Sequence, residues 1–162
     1  MNGNNARAAC QNIGADLAMI KTEARNREVD QLYRSKRDRF DAYDNLWIGL
    51  TRKDTNNGSK DPSNWVWVDG TDASSYTNWA SGEPNDYIRN EDCVHMGHEW
   101  TGVMYEWNDH NCDSWLASVL CEVEANPLGT LKSFILITWC IFAEFFNLIT
   151  IFQCKLSIRH TK

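Results

Sequence analysis

At 162 residues, with 43% hydrophobic and 23% charged side chains, the chain has the size and composition of one ordinary folded domain and is too apolar for a disordered polymer. Its net charge is −6, and the 124 residues ahead of the C-terminal tail carry 12 Lys and Arg against 21 Asp and Glu, a balance of −9. Nucleic-acid binding runs on phosphate neutralisation by Lys and Arg, so that partner class is excluded and a cation-binding role is favoured.

Ala6, Ala9, Cys10 and Ile13 fall at i, i+3, i+4, i+7, which predicts a helix over residues 6–13 stopped by Gly14. Residues 17–20 form a short apolar run suited to a strand or a buried turn. Thr22 is placed to cap a second helix, with Glu23 in its first turn and Val29, Leu32 and Tyr33 on its core face. Arg34, Lys36, Arg37 and Arg39 cluster near the end of that helix, where cations suit its dipole, and are assigned no function. From Leu46 the pattern changes to short apolar runs over 46–50, 65–68, 93–96 and 119–123. Two helices followed by an antiparallel sheet make an α+β fold. The long stretch between the second and third runs is rich in Asp, Asn, Ser and Gly, as expected of a functional loop. Trp47, Trp65, Trp67, Trp79, Trp107 and Trp115 are read mainly as core, and Trp100 is set apart as a candidate for contact with an extended ligand. Asn57-Gly58-Ser59 is a glycosylation sequon in a predicted surface loop.

Three islands stand out: Glu83-Pro84-Asn85, Glu91-Asp92-Cys93 and Trp107-Asn108-Asp109. Calcium takes six to eight oxygens from carboxylates, amide carbonyls and water. Glu83, Glu91 and Asp109 supply three carboxylates; Asn85 and Asn108 supply two amide oxygens. Five side chains leave coordination places open, and a sugar hydroxyl suits them because it can bind a cation, accept from an amide N–H and donate to a carboxylate at once. Glu83 with Asn85 serves one hydroxyl, and Glu91 with Asn108 its neighbour. Cys10, Cys93, Cys112 and Cys121 lie in the same region, and four cysteines permit three pairings between which the residues alone do not choose. A zinc site from Cys93, His95, His98 and Cys112 fits no common closed spacing well.

At these residues, from about Ala6 to Glu124, the chain resembles the C-type lectin family. Further marks are Trp47-Ile48-Gly49-Leu50, the Trp65-Val66-Trp67 run followed by Asp69-Gly70, and the four cysteines. The resemblance implies calcium (Ca2+) as cofactor and bridges Cys10 to Cys121 and Cys93 to Cys112, which require an oxidising compartment. It also implies a cis bond before Pro84 when the metal is bound. The Glu-Pro-Asn triplet implies glycans of the mannose, N-acetylglucosamine and fucose group, whereas Gln-Pro-Asp implies galactose. Tyr87 stands where galactose-binding relatives carry a tryptophan, but the glycine-rich loop beside it is replaced by Ile88-Arg89-Asn90. Tyr87 is read either as a sugar-stacking ring or as a half-exposed cover for the loop. A second, auxiliary calcium would draw on Asp86, Glu91 and Asp92, yet Arg52 stands where relatives have an early loop acid, leaving Asp54 or Asn57 to substitute. The loop is expected to loosen in chelator as its clustered carboxylates repel. The alternative to sugar binding is a domain of the same fold that binds a protein, with structural calcium or none. Glycosidase chemistry by Glu83 and Glu91 is set aside, because calcium ligation would keep both ionised and leave no proton donor.

The ends divide the chain further. Residues 1–124 form the lectin-like domain, which starts without the tryptophan-bearing first strand of the family, so an N-terminal truncation is expected; if the chain is made as given, the edge of strand 119–123 lacks a partner. Residues 125–132 are a linker. Residues 133–152 are mostly Phe, Ile and Leu and long enough for a transmembrane helix, with Lys155, Arg159 and Lys162 in the basic tail 153–162 placing the C-terminus in the cytoplasm. A membrane anchor and a translated noncoding extension are both open readings. Location outside the cell or at its surface is expected.

Overall fold

The computed structural model describes residues 1–34 (side chains through Leu32), 45–55, 60–97, 106–114 and 118–123, and the backbone of 134–141 and 153–158. Lys36, Arg37 and Arg39, the sequon at Asn57, His98, Trp100, Trp115 and the linker 125–132 lie outside the described residues. Helices α1 (Gly3–Gln11) and α2 (Glu23–Arg34) flank a short strand β1 (Asp16–Leu17). The strands β2 (Leu46–Arg52), β3 (Trp65–Trp67), β4 (Cys93–Met96), β5 (Trp107–His110) and β6 (Ser118–Val123) follow, and then β7 (Phe134–Ile141) and β8 (Gln153–Ile158). The strands line up in the order β5-β4-β2-β6-β7-β8, with β1 on β6 and β3 on β2. Pairing is antiparallel except between β2 and β6, where Leu46 lies opposite Ser118 and Trp47 opposite Val119.

The helices form where their caps allow. Asn2 caps α1 by accepting from the Asn5 amide, and Thr22 Oγ1 accepts from the Arg25 amide at the start of α2. Gly14, with φ +74°, ends the first helical segment in the left-handed region that a side chain rarely adopts. Ala6 and Cys10 of α1 are buried against Leu17, Trp47 and Cys121, while Val29 and Leu32 of α2 join Leu46, Ile48, Leu50 and the tryptophans.

Trp47, Trp65, Trp67 and Trp107 are almost fully buried, which confirms them as core. Trp107 is the hub. Trp67 and Trp79 meet it edge-on at 5.7 and 5.8 Å, and its Nε1 donates to Asn26 Oδ1 of α2 at 2.9 Å. A strand that ends in the functional region is thus fixed to the helical scaffold through a satisfied aromatic. Bridges join Cys10 to Cys121 and Cys93 to Cys112. The second holds β4 to the turn after β5, and a disulfide there rules out the zinc site, because neither sulfur remains a thiolate ligand.

Gly49 shows how tightly this centre is built. A Cβ at that position would lie 3.0 Å from the Leu17 carbonyl oxygen and 3.2 Å from that of Ala18, both backbone atoms. Gly49→Ala is therefore expected to destabilise the domain by about 1–3 kcal/mol through overpacking. Urea unfolding of the oxidised protein checks this, and an unchanged midpoint would contradict it.

The helix expected over 133–152 is not what forms at its start. Phe134–Ile141 is a strand along β6, and among the described residues no helix is long and apolar enough to cross a membrane. Its Ile, Thr, Phe and Trp residues suit a pleated strand, and the pairing supplies partners for the β6 edge that the sequence left open. Residues 142–152 lie outside the described residues.

Candidate functional site

The end of the sheet formed by β2, β4 and β5 carries the loop 83–92. Two backbone ties set its base: the Ala80 amide donates to the Trp107 carbonyl at 2.9 Å, and the Glu83 amide to the Ala80 carbonyl at 3.0 Å. The Glu83-Pro84 bond is cis. Beyond it the backbone curls over Asp109, a completely buried residue of β5. Its Oδ1 accepts from the Asn85 amide and its Oδ2 from the Asp86 amide, both at 2.9 Å. One carboxylate thereby positions the two residues that follow the proline.

One of the two expected acid and amide pairs, Glu83 with Asn85, is formed by a direct contact. Asn85 Nδ2 donates to Glu83 Oε1 at 2.9 Å, forming the first acid and amide pair. Glu91 folds back so that Oε2 accepts from the Tyr87 amide at 2.7 Å. Asn108, next to Asp109 on β5, lies opposite His95 of β4. Two oxygens stand out: Glu83 Oε2 and Asn108 Oδ1 are buried and have no hydrogen-bond donor among the described residues. A buried acceptor without a donor is costly, and a cation is one remedy.

Electrostatics point the same way. Burial, and then the neighbouring Asp109 carboxylate, push Glu83 up to about 7 from the ordinary 4.5. Burial raises Glu91 to about 7 as well, the Asp109 and Asp86 charges adding to the shift against the Tyr87 amide and Arg52. Both acids sit in a negative field that a bound cation would relieve. Acids alone do not close a cage: among the described residues no three His, Cys, Asp or Glu side chains form a metal-holding group. A cation here needs the Asn85 and Asn108 amide oxygens, as a calcium shell of mixed oxygens permits.

Tyr87 is 68% exposed and Ile88 76% exposed. Asp86, Ile88 and Arg89 have φ of 50°, 52° and 56°, and a left-handed conformation at a β-branched residue is an outlier. The loop thus presents an aromatic and an aliphatic side chain outward beside Glu91. Residue type marks Tyr87 as a candidate contact but carries no signal for the exposure of Ile88.

Asp86 and Asp92, the auxiliary metal candidates, are engaged by Arg52. Its side chain is 1% exposed, and its Nη2 lies 3.0 Å from Asp109 Oδ2 and 3.7 Å from Asp86 Oδ1, while Nε lies 3.2 Å from Asp92 Oδ1. An auxiliary ion fits poorly among acids already facing a fixed guanidinium. Leu46, Ile48 and Leu50 of β2 join one core cluster, and Arg52, two residues further along the strand, is buried as well.

The profile of the Lectin C-type domain matches residues 1–123. The chain is 33% identical over 121 residues to a perlucin-like protein of Mytilus galloprovincialis, covering 74% of this chain and 69% of that protein. It is 39% identical over 123 residues to a hepatic lectin of Gallus gallus, covering 75% of this chain but only half of the relative's length. Among solved structures it is similar to the C-type lectin domain of murine dendritic cell inhibitory receptor 2 in complex with an N-glycan. The TM-score there is 0.57 at 26% identity, over 76% of this chain and 83% of that one.

Proposed function

This chain belongs to the C-type lectin domain family, and from that premise we propose that it binds glycans of the mannose, N-acetylglucosamine and fucose group through one calcium ion, outside the cell or at its surface. The observation that carries the reading is the pair of buried oxygens without donors among the described residues, Glu83 Oε2 and Asn108 Oδ1, together with the Glu83 and Glu91 carboxyls pushed up by burial and by neighbouring acids. Glu83, Asn85, Glu91, Asn108 and Asp109 would hold the ion. When bound, it would supply open coordination places for two neighbouring sugar hydroxyls.

The chain's own residues do the rest. The Asn85 amide group, already directed at Glu83, stands beside an acceptor carboxylate, so a hydroxyl at that pair can accept from one and donate to the other. The order acid, proline, amide supports the mannose-type group over galactose. Tyr87 and Ile88 form an apolar rim at the loop tip for the less polar face of a sugar. The family is one of non-catalytic carbohydrate-binding domains, and no enzymatic role is assigned. The two disulfides suit an oxidising compartment.

A glycan array probed with the full chain in calcium and again in chelator tests this. Binding to mannose-type glycans that disappears in chelator is expected. Binding that ignores both chelator and free mannose would replace this reading with the protein-binding alternative.

A further inference from the structure

We infer that Arg52 is a built-in cation: its guanidinium fills the place of a second metal ion and fixes the loop 86–92 to the sheet whether or not calcium is present. Resting on the reading above, this sets the stoichiometry of the same site at one ion and gives the loop an order of its own.

The inference follows from what surrounds the guanidinium. Three carboxylates, Asp86, Asp92 and Asp109, face it at 3.7, 3.2 and 3.0 Å, and the Glu91 carbonyl accepts from Nη2 at 3.0 Å and from Nε at 3.3 Å. Three carboxylates and a carbonyl are the oxygen donors that a hard cation takes, and here a planar side chain from β2 holds that place. Its other face is covered, with Cζ 4.5 Å from the Trp65 ring centroid. The backbone adds a tie, the Arg52 amide donating to the Asp92 carbonyl at 2.9 Å. A charge buried to this degree with these partners is held in one position, and so are they.

The consequence reaches the ligand-holding residues. Asp109 accepts from the Asn85 and Asp86 amides with the same carboxylate that Arg52 binds. Asp86 in turn accepts from the Glu91 amide at 3.3 Å. Arg52 is thus a positioning residue: it touches none of the oxygens without donors, but fixes the carboxylates on which Asn85 and Glu91 depend. The expectation that the whole loop loosens in chelator is accordingly narrowed to its Glu83 end and the tip at Tyr87 and Ile88.

Two measurements on the oxidised full chain test this. Amide hydrogen exchange at Asn85 and Asp86 should remain protected in chelator, and should speed up about tenfold or more in Arg52→Met. Arg52→Lys, which keeps the charge but loses the planar fork, should exchange at a rate between the two and preserves the test if the Met variant does not fold. Equilibrium dialysis against calcium should give no more than one ion per wild-type chain and a second ion in Arg52→Asp, whose added carboxylate replaces the fixed cation with a fourth acid. Protection that is equal in wild type and both Arg52 variants, or two ions bound by wild type, would overturn the inference. An uptake of zero by wild type would end the calcium reading while leaving the exchange rates to decide for or against Arg52.

Discussion

Asp109→Ala is expected to lose about 3–5 kcal/mol of stability, the range for removing one partner of a buried charge pair. Asp109 is completely buried and accepts from Arg52 Nη2, the Asn85 amide and the Asp86 amide. Alanine leaves a buried guanidinium short of a carboxylate and strips two backbone N–H groups of their acceptor. Domains are commonly stable by only about 5–15 kcal/mol, so this is a large fraction of the whole. Asp109→Asn keeps an acceptor oxygen but drops the charge and presents an NH2 group to a donor, so an intermediate loss is expected. Calcium affinity should fall by at least tenfold in both, because Asn85 is held by this carboxylate. Urea unfolding with parallel calcium titration reads both effects. A loss under about 1 kcal/mol in Asp109→Ala would show that the ion pair with Arg52 does not organise the loop.

Acidification should weaken calcium binding steeply, by up to about a hundredfold per pH unit below 7, because Glu83 and Glu91 both titrate near 7 without metal and both must lose a proton to ligate. The sign for stability is opposite. Between the ordinary 4.5 and about 7 the folded metal-free domain binds more protons at these two acids than the unfolded chain does. The penalty for holding them charged is therefore absent below about 4.5, grows as pH rises, and is complete above about 7. Metal-free protein should lose stability from this pair between pH 5 and 8, while the gain on adding calcium should increase. Apparent calcium affinity at pH 8, 7, 6 and 5.5, alongside thermal unfolding in chelator, tests both directions. An affinity that does not change across that range would show that Glu83 and Glu91 are not ligands that titrate near 7. With the predicted slope, a glycan captured at neutral pH is released in an acidic compartment.

Much of this was legible in the residues, and the exceptions have physical causes. The cap at Thr22, the core face of α2 and the apolar runs of β2, β4 and β6 express helical and strand periodicities in side chains that face one core. Strand β5 did not show itself, because its buried alternating positions are Trp107 and Asp109 and a carboxylate in the core disguises the pattern. Phe134–Ile141 misled for the converse reason: a continuous apolar run reads alike as buried strand and as helix, and pairing with β6 decides it. The cysteines alone allowed three pairings; the resemblance selected the two that the fold contains. Glu83, Asn85, Glu91, Asn108 and Asp109 are named from the sequence because they pair acids with amides at the positions the C-type lectin resemblance marks. Arg52 was visible only as a missing acid, since a sequence shows the charge of an arginine but not the three carboxylates folded around it.

Glu83, Asn85, Glu91, Asn108 and Asp109 are proposed to share one calcium ion that makes sugar binding possible. Calorimetric titration of calcium into the oxidised chain at neutral pH, followed by mannose, tests it most directly. One ion per chain with a dissociation constant on the order of 10⁻⁴–10⁻³ M, typical of extracellular modules, and a mannose signal only after calcium is the predicted result. No uptake at about 10 mM calcium, well above that range, would contradict it.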